Sequence, residues 1–388
     1  MSHSSADSSA PFSNNSAQKE LYAVCAALFA LGIAFSTWAS RVPDVRTAAF
    51  LTATTLGYVL LIRGFGTLVM MPVVAISINY FGAKKTALLS GVVVAVSLIP
   101  ISYSSGWISL AILLFLVGAG SSSYNISVNA LGAKVETESG KSHMSKIHSW
   151  FGVGNLSGAL LGTLAKHFSV STNFHFGAIS LFLLATVFIT YRFLPNDTPH
   201  PDAVRPKFKW PHGGLVAIGL IAFLASSIEG SVNNWVAIFF SDHLKVSEGL
   251  VPVGYTVFAG ALLGMRLFGD RLKMRFGAKK LIVSGSLLAT CGLITAVLAP
   301  NIMVAAIGFF IAGAGVALNF PMVFSAAGRE GAVALTSVAT FGYVGGMVSQ
   351  PLMGMIVTEF ETVGGFSFIA TLTFLISIIA WRSRLLKA

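Results

Sequence analysis

Long apolar runs recur along the chain, each near the twenty or so residues that a helix needs to cross the hydrocarbon core of a bilayer. Twelve can be delimited, at 20–39, 53–78, 86–104, 108–132, 146–166, 174–193, 213–239, 250–269, 280–299, 302–325, 334–357 and 364–382. Short polar turns separate most of them. One stretch, 194–212, is longer and carries Pro195, Pro199, Pro201, Pro206 and Pro211. It reads as a linker between a six-helix bundle over 20–193 and a second over 213–388, the latter including a short tail. Residues 1–19 are rich in Ser and Asn and open without a basic cluster. They lack the layout of a cleaved signal peptide and read as a disordered tail, with the first run as an uncleaved anchor.

The two bundles resemble each other. Phe81-Gly82-Ala83-Lys84-Lys85 recurs as Phe276-Gly277-Ala278-Lys279-Lys280, 195 residues later. Gly118-Ala119-Gly120 recurs as Gly313-Ala314-Gly315 at the same offset, and Asn125 and Glu136 match Asn319 and Glu330 at 194. A nearly constant offset through several spans marks a duplicated six-helix unit. Six is even, so both copies share one orientation: an all-α integral membrane protein of twelve transmembrane helices in two parallel repeats.

Composition agrees. Only 10% of residues are charged, against about 25% in a soluble domain. The net charge of +11 does not point to nucleic acid, because the basic residues sit in short loops between apolar spans. With the N-terminus placed inside, 19 Lys and Arg fall on the inner segments, 4 on the outer ones (Arg41, Arg46, Lys166, Lys245) and 2 within spans (Arg63, Arg266). That bias puts both termini in the cytoplasm, in a bacterial inner membrane. Cys25 and Cys291 both lie in apolar segments and imply neither disulfide nor metal. There is no P-loop, and no cofactor is expected.

Twelve spans in two parallel halves, with a basic turn after spans 2 and 8, resemble the major facilitator superfamily of secondary transporters over about residues 20–385. The superfamily loop motif is degraded: Asn79 and Met274 take the place of its Asp. Trp38-Ala39-Ser40-Arg41-Val42-Pro43, Glu229-Gly230 with Trp235, His148-Ser149-Trp150-Phe151-Gly152 and Arg266-Leu267-Phe268-Gly269-Asp270-Arg271 are similar to the MosC/YbjJ-like branch, grouped with fucose permeases. Asn125 and Asn234 stand where that resemblance implies acidic residues, which removes two protonation sites. The resemblance also implies a central cavity lined by spans 1, 4, 7 and 10.

Ionisable groups inside a membrane span mark function or a structural pair. Glu229, midway along span 7, is the best candidate for proton coupling; a structural bond to a neighbouring helix is the alternative. Arg63, midway along span 2, would meet an anionic solute group, balance Glu229 or brace two helices. His148 would relay protons or make a structural hydrogen bond. Trp38, Asn125, Asn129, Glu229, Asn233, Asn234, Trp235 and Asn319 are the candidate solute-binding residues. Amides with aromatic faces suit a neutral, hydroxyl-rich solute, though the same amides can bond helices together. Gly154, Gly158 and Gly162 form a small-residue packing stripe.

For the inner gate, Arg266 and Asp270 are four apart and would pair on one helix face. Glu136 and Glu330 would pair with the basic turns at Gly82, Lys84, Lys85, Arg271, Gly277, Lys279 and Lys280. Asp270 would tie the second turn more firmly than the first. The function these readings imply is a secondary active transporter, working as a monomer in the lipid bilayer. It would move a small polar solute by alternating access, with protons as the coupling ion. A membrane-embedded transferase and a non-transporting receptor or scaffold are the alternatives.

Overall fold

The computed structural model of the chain describes residues 14–141, 143–197 and 213–387. Its first six helices are α1 (Asn14–Ala48), α2 (Ala53–Phe81), α3 (Ala83–Ile101), α4 (Trp107–Ser139), α5 (Met144–His167) and α6 (Thr172–Phe193). After residue 212 come α7 (Gly214–Ile238), α8 (Val253–Leu267), α9 (Gly269–Phe276), α10 (Ala278–Val297), α11 (Ile302–Val316), α12 (Asn319–Arg329) and α13 (Ala332–Arg382). A π-turn, Phe239–His243, prolongs α7. Among the described residues no strand occurs.

Three differences from the sequence reading have local causes. Helix α1 starts at Asn14, so the last residues of the expected tail are helical. The eighth and tenth spans are each broken, at Phe268 and at Ala317–Leu318. Helix α13 holds the last two expected spans, divided where Phe360 and Glu361 leave helical geometry. Ten helical stretches among the described residues are long and apolar enough to cross a membrane. The 24-residue α5 is not one of them; its Lys, His, Ser and Asn residues dilute its apolar character. Most of the proline linker, 198–212, lies outside the described residues.

Contacts fix which helix ends share a side. Lys84, at the start of α3, reaches Leu194 and Asn196 beyond α6, and Lys134 on α4 reaches the Asn196 carbonyl. Lys146 on α5 lies over the Tyr22 ring of α1. In the second half, Lys279 at the start of α10 reaches the Ser383 carbonyl after α13. This side is called the near end. At the far end Arg46 of α1 meets Asp242 beyond α7, and Thr54 of α2 meets Thr358 of α13.

The glycines set how closely helices approach. A Cβ on Gly154 would strike the carbonyl oxygen of Phe29, one on Gly158 would lie 2.7 Å from that of Ile33, and one on Gly162 would strike Ser40. The stripe therefore seats α5 directly on the α1 backbone. In the second half Gly345 of α13 meets the Phe223 oxygen of α7 in the same way. Gly118 of α4 meets the Arg63 oxygen of α2, and Gly313 of α11 meets the Phe258 oxygen of α8.

The two basic turns also share a geometry. Gly82 (φ 84°, ψ 156°) and Gly277 (φ 77°, ψ 154°) each end one helix and start the next. Each donates its N–H back into the preceding helix at 2.9 Å, to Ile78 and to Lys273. That backbone region is open essentially to glycine alone, so Ala at either position carries roughly 1–3 kcal/mol of strain. The turns differ in what lies beyond. A Cβ on Gly82 would lie 2.8 Å from the Asp197 carboxylate, whereas one on Gly277 meets nothing within 4 Å. Gly82→Ala is therefore expected to lower the melting temperature of the purified protein more than Gly277→Ala. Equal drops in a thermal unfolding scan would count against this account.

Candidate functional site

A chain of buried side chains crosses the middle of the molecule. Trp38 of α1 donates its indole N–H to Asn234 of α7 (3.0 Å). The Asn234 amide donates to the Gly230 carbonyl (2.8 Å) and to Gln350 of α13 (3.3 Å). Trp235 donates to the same Gln350 oxygen (3.2 Å). Trp38, Asn234, Trp235 and Gln350 are all buried. Three expected solute-binding residues are thus bonded to one another or to Gln350, and they join the first half to the second. Behind Trp38 lies Arg63, its guanidinium 5.9 Å from the Trp38 ring centroid and 5.1 Å from that of Phe35.

A second node lies beside it. Ser36 of α1 donates to Asn155 of α5, whose side-chain oxygen also accepts from Tyr255 of α8 (2.9 Å); Ser36 and Tyr255 are 3.0 Å apart. Thr163 of α5 meets Thr256 of α8 at 3.0 Å. The sequence reading missed Ser36, Asn155 and Tyr255. Their signal was available, since Asn155 sits in the glycine stripe and Tyr255 within a span.

The far end carries a charge network. Arg41 is buried and pairs with Asp44 (3.0 Å), donates to His175 Nδ1 (3.2 Å) and donates to the Val170 carbonyl (2.7 Å). Lys166, also buried, pairs with Asp44 (2.6 Å) and reaches Glu248 of the second half (3.4 Å). Arg46 pairs with Asp242 across the halves (2.6 Å). Arg41 and Lys166 were counted above as outer-loop charges; both belong to helices and are enclosed. The i, i+3 spacing of Arg41 and Asp44 was the readable sign.

Toward the near end, Glu229 of α7 accepts two bonds from Arg266 Nη2 of α8, at 3.1 and 3.2 Å. Arg266 Nε donates to the Ala317 carbonyl (3.1 Å). That carbonyl is free because its helical donor would be residue 321, which is Pro321 and has no N–H. The expected Arg266–Asp270 pair is not formed. The helix breaks at Phe268, so the i, i+4 face is lost and Asp270 is exposed. His148 of α5 is exposed as well, close enough to Arg266 for the two charges to interact.

The remaining candidates are scattered. Asn129 bonds back to Asn125 within α4 (2.9 and 3.0 Å). Asn233 is half-buried. Asn319, first residue of α12, is buried with neither amide atom bonded to protein. Glu136 accepts from the His143 and Met144 N–H groups (2.6 and 2.9 Å), capping α5. Glu330 is exposed and forms no ion pair among the described residues. Lys85, Arg271, Gly277 and Lys280 are exposed. The acidic partner of the basic turns stands at the first copy, reversing the expected asymmetry: Asp197 accepts from the Ala83 and Lys84 N–H groups at the start of α3.

Long apolar helices closed around ion pairs define a multi-pass membrane protein. The chain belongs to the Major Facilitator Superfamily, which matches residues 22–333. It is 30% identical to an uncharacterized transporter of Sinorhizobium fredii over 351 residues, covering 87% of this chain and 91% of that one. An uncharacterized MFS-type transporter of Yersinia pestis is 29% identical over 336 residues (85% and 87%). The membrane protein MosC of Rhizobium meliloti is 26% identical over 345 residues (86% and 83%), in line with the branch read from the sequence. Among solved structures, the nucleoside transporter NupG superposes with a TM-score of 0.77 at 11% identity, covering 94% of this chain and 99% of that one. A D-xylose–proton symporter gives 0.73 at 14% (94% and 97%). At such identities these structures share the fold.

The Glu229–Arg266 bonds are tested by a double-mutant cycle. Glu229→Gln and Arg266→Gln should each destabilise the protein, and the double variant should be less destabilised than the sum. The expected coupling is about 1 kcal/mol or more, as for directly bonded neighbours. Additive losses in equilibrium unfolding would show that the contact carries no net interaction.

Proposed function

We propose that this protein is a secondary active transporter that moves a small polar solute by alternating access, and that the far end is the closed one in this state. The observation that carries the reading is the set of contacts between halves. Arg46–Asp242, Lys166–Glu248, Thr54–Thr358 and Thr163–Thr256, with the Trp38–Asn234 and Tyr255–Asn155 bonds, tie the two bundles from the far end to the middle. The basic turns of the near end bond within their own halves, to Leu194, Asn196 and Ser383. With both termini cytoplasmic, as the Lys and Arg distribution predicts, this is an inward-facing arrangement.

The α13 break and the length of α5 support a count of twelve passes. The paired glycine contacts and the matching Gly82 and Gly277 turns support two parallel six-helix repeats. Residues 20–193 form the first and 213–388 the second. The 194–212 linker is cytoplasmic, and the setting is a bacterial inner membrane. Each half packs tightly through glycine, and the halves meet both through polar pairs and at Gly57 and Gly354, where α2 and α13 lie backbone to backbone. The halves rock about a central site.

Glu229 is the coupling residue. A proton on its carboxylate cancels the charge that holds Arg266, which frees α8 to move against α7. His148, beside Arg266 at the near end, is placed to pass that proton.

Two experiments test this. In proteoliposomes screened with labelled sugars, polyols and organic acids, a solute carried by the native protein should respond to an imposed pH gradient. Glu229→Gln should lose that response while keeping solute exchange; a retained response sinks the coupling role. Separately, Asp242→Asn with Glu248→Gln removes two ion pairs, each with one exposed partner and worth up to about 1 kcal/mol. That shifts the balance of states up to about thirty-fold toward far-end opening, at 1.4 kcal/mol per tenfold. Spin labels at Phe50 and Lys245, in a Cys25→Ser, Cys291→Ser background, should then report a longer distance population. An unchanged distribution would contradict the latch.

A further inference from the structure

Arg63 is the membrane-embedded charge that the pairing does not explain. Glu229, the acid that the sequence left available to balance it, is held by Arg266 with both oxygens. Arg41, Asp44 and Lys166 are likewise paired among themselves. Among the described residues the Arg63 guanidinium has no ion pair and no hydrogen-bond acceptor. It has two aromatic faces, Phe35 and Trp38. Aromatic faces attract a cation, but they accept none of its N–H bonds, and the residue is half-buried, so its donors stay open to an incoming acceptor.

The fold itself does not ask for a cation there. The Arg63 backbone oxygen lies against Gly118 of α4. At the matching contact of the second half, the oxygen of Phe258 lies against Gly313 of α11, and Phe258 is buried. The same helix crossing is thus made once with Phe and once with Arg. The charge belongs to the first half's chemistry and not to its packing. It also borders a cavity of about 10 Å³, the room of about one water, lined by Phe35, Trp38, Arg63 and Ser121 together with apolar residues of α3 and α4; a larger group enters once these side chains move apart.

We propose that Arg63 is the anchor for an anionic solute and that the carried molecule bears a carboxylate. A guanidinium presents a planar fork of N–H donors that matches a carboxylate with two parallel bonds. Phe35 and Trp38 flank the guanidinium, and Ser121 lines the same cavity. Trp38 also donates to Asn234 across the halves, so whatever draws Arg63 away from Trp38 acts beside a contact that must break during transport. The neutral, hydroxyl-rich solute suggested by the amides is replaced, because Asn234 and the two tryptophans already bond within the protein.

This inference rests on the transporter reading above. Its test is a thermal-shift titration of the detergent-purified full chain with matched pairs: gluconate against sorbitol, glucuronate against glucose, and succinate against 1,4-butanediol. Sodium chloride at equal ionic strength is the control. The expected result is stabilisation by at least one carboxylate beyond its neutral partner and beyond chloride. Arg63→Gln should abolish it, and Arg63→Lys, which keeps the charge but not the fork, should weaken it about tenfold or more in apparent affinity. Melting of each unliganded variant separates loss of the site from loss of the fold.

Three results would overturn the assignment: no carboxylate shift above chloride, a shift that Arg63→Gln retains, or stabilisation by the neutral partners alone. The same ligands are then assayed for flux in proteoliposomes. Arg63-dependent binding without flux of any bound carboxylate would keep the anion site and count against transport. Flux of a neutral solute indifferent to Arg63→Gln would keep transport and end the anion assignment.

Discussion

A charged side chain at the centre of a bilayer costs about 3 kcal/mol on insertion scales, and that penalty falls only when the charge finds a partner or water. Much of the interior follows from it. Glu229 and Arg266 hold α7 to α8, and Arg266 completes its bonding on the carbonyl that Pro321 leaves without a donor. The proline, the broken helix and the ion pair therefore form one unit. Removing the proline would return the carbonyl to its helix and leave one Arg266 donor without an acceptor. At the far end Asp44 plays the matching part, receiving both Arg41 and Lys166 and so fastening α1 to α5.

Glycine contacts and polar pairs both build the seams of the molecule. Within a half, glycine lets one helix lie on the backbone of the next, as α5 does on α1 and α13 on α7. Such seams leave few side chains to rearrange. Between halves, the far-end seam joins a close glycine contact of Gly57 and Gly354 to hydroxyl pairs such as Thr54–Thr358 and Thr163–Thr256, and to ion pairs with one exposed partner such as Lys166–Glu248. Each of these pairs is weak alone, because water competes for its groups. Polar contacts of this kind can break one by one without a large barrier.

The sequence carried the helices and the internal duplication clearly. Apolar runs need no tertiary information to be recognised, and Phe-Gly-Ala-Lys-Lys marks two turns whose glycines take nearly the same φ and ψ. Side-chain partners were less legible. Arg266 and Asp270 were placed together by counting along an unbroken helix, and the break at Phe268 invalidated the count. Pro321 gave a hint of irregular backbone in the tenth span, but nothing local says that Arg266 fills the gap. The Trp38–Asn234 and Asn155–Tyr255 bonds join residues 196 and 100 positions apart, across the two halves. Their existence depends on how the bundles meet, which no single span encodes. Lys84 shows the same limit: it starts α3, and its neighbour Asp197 lies beyond three further helices.

Trp38 is where these strands of argument join. Its ring faces Arg63 on one side and its indole N–H donates to Asn234 on the other, and Asn234 donates on to Gln350. The residue therefore touches the cation that lacks a partner and the polar chain that spans the halves. If a solute anion satisfies the guanidinium, the Arg63 side chain is drawn from the indole face toward the new acceptor, and the indole loses one of the contacts that fixes its plane. The Trp38–Asn234 bond depends on that plane. Occupancy of the site and closure of the middle of the molecule are then linked through one side chain, without any contact between the solute and the far-end latch. The differential affinity that a ligand needs in order to shift a conformational balance would lie in this competition for Arg63.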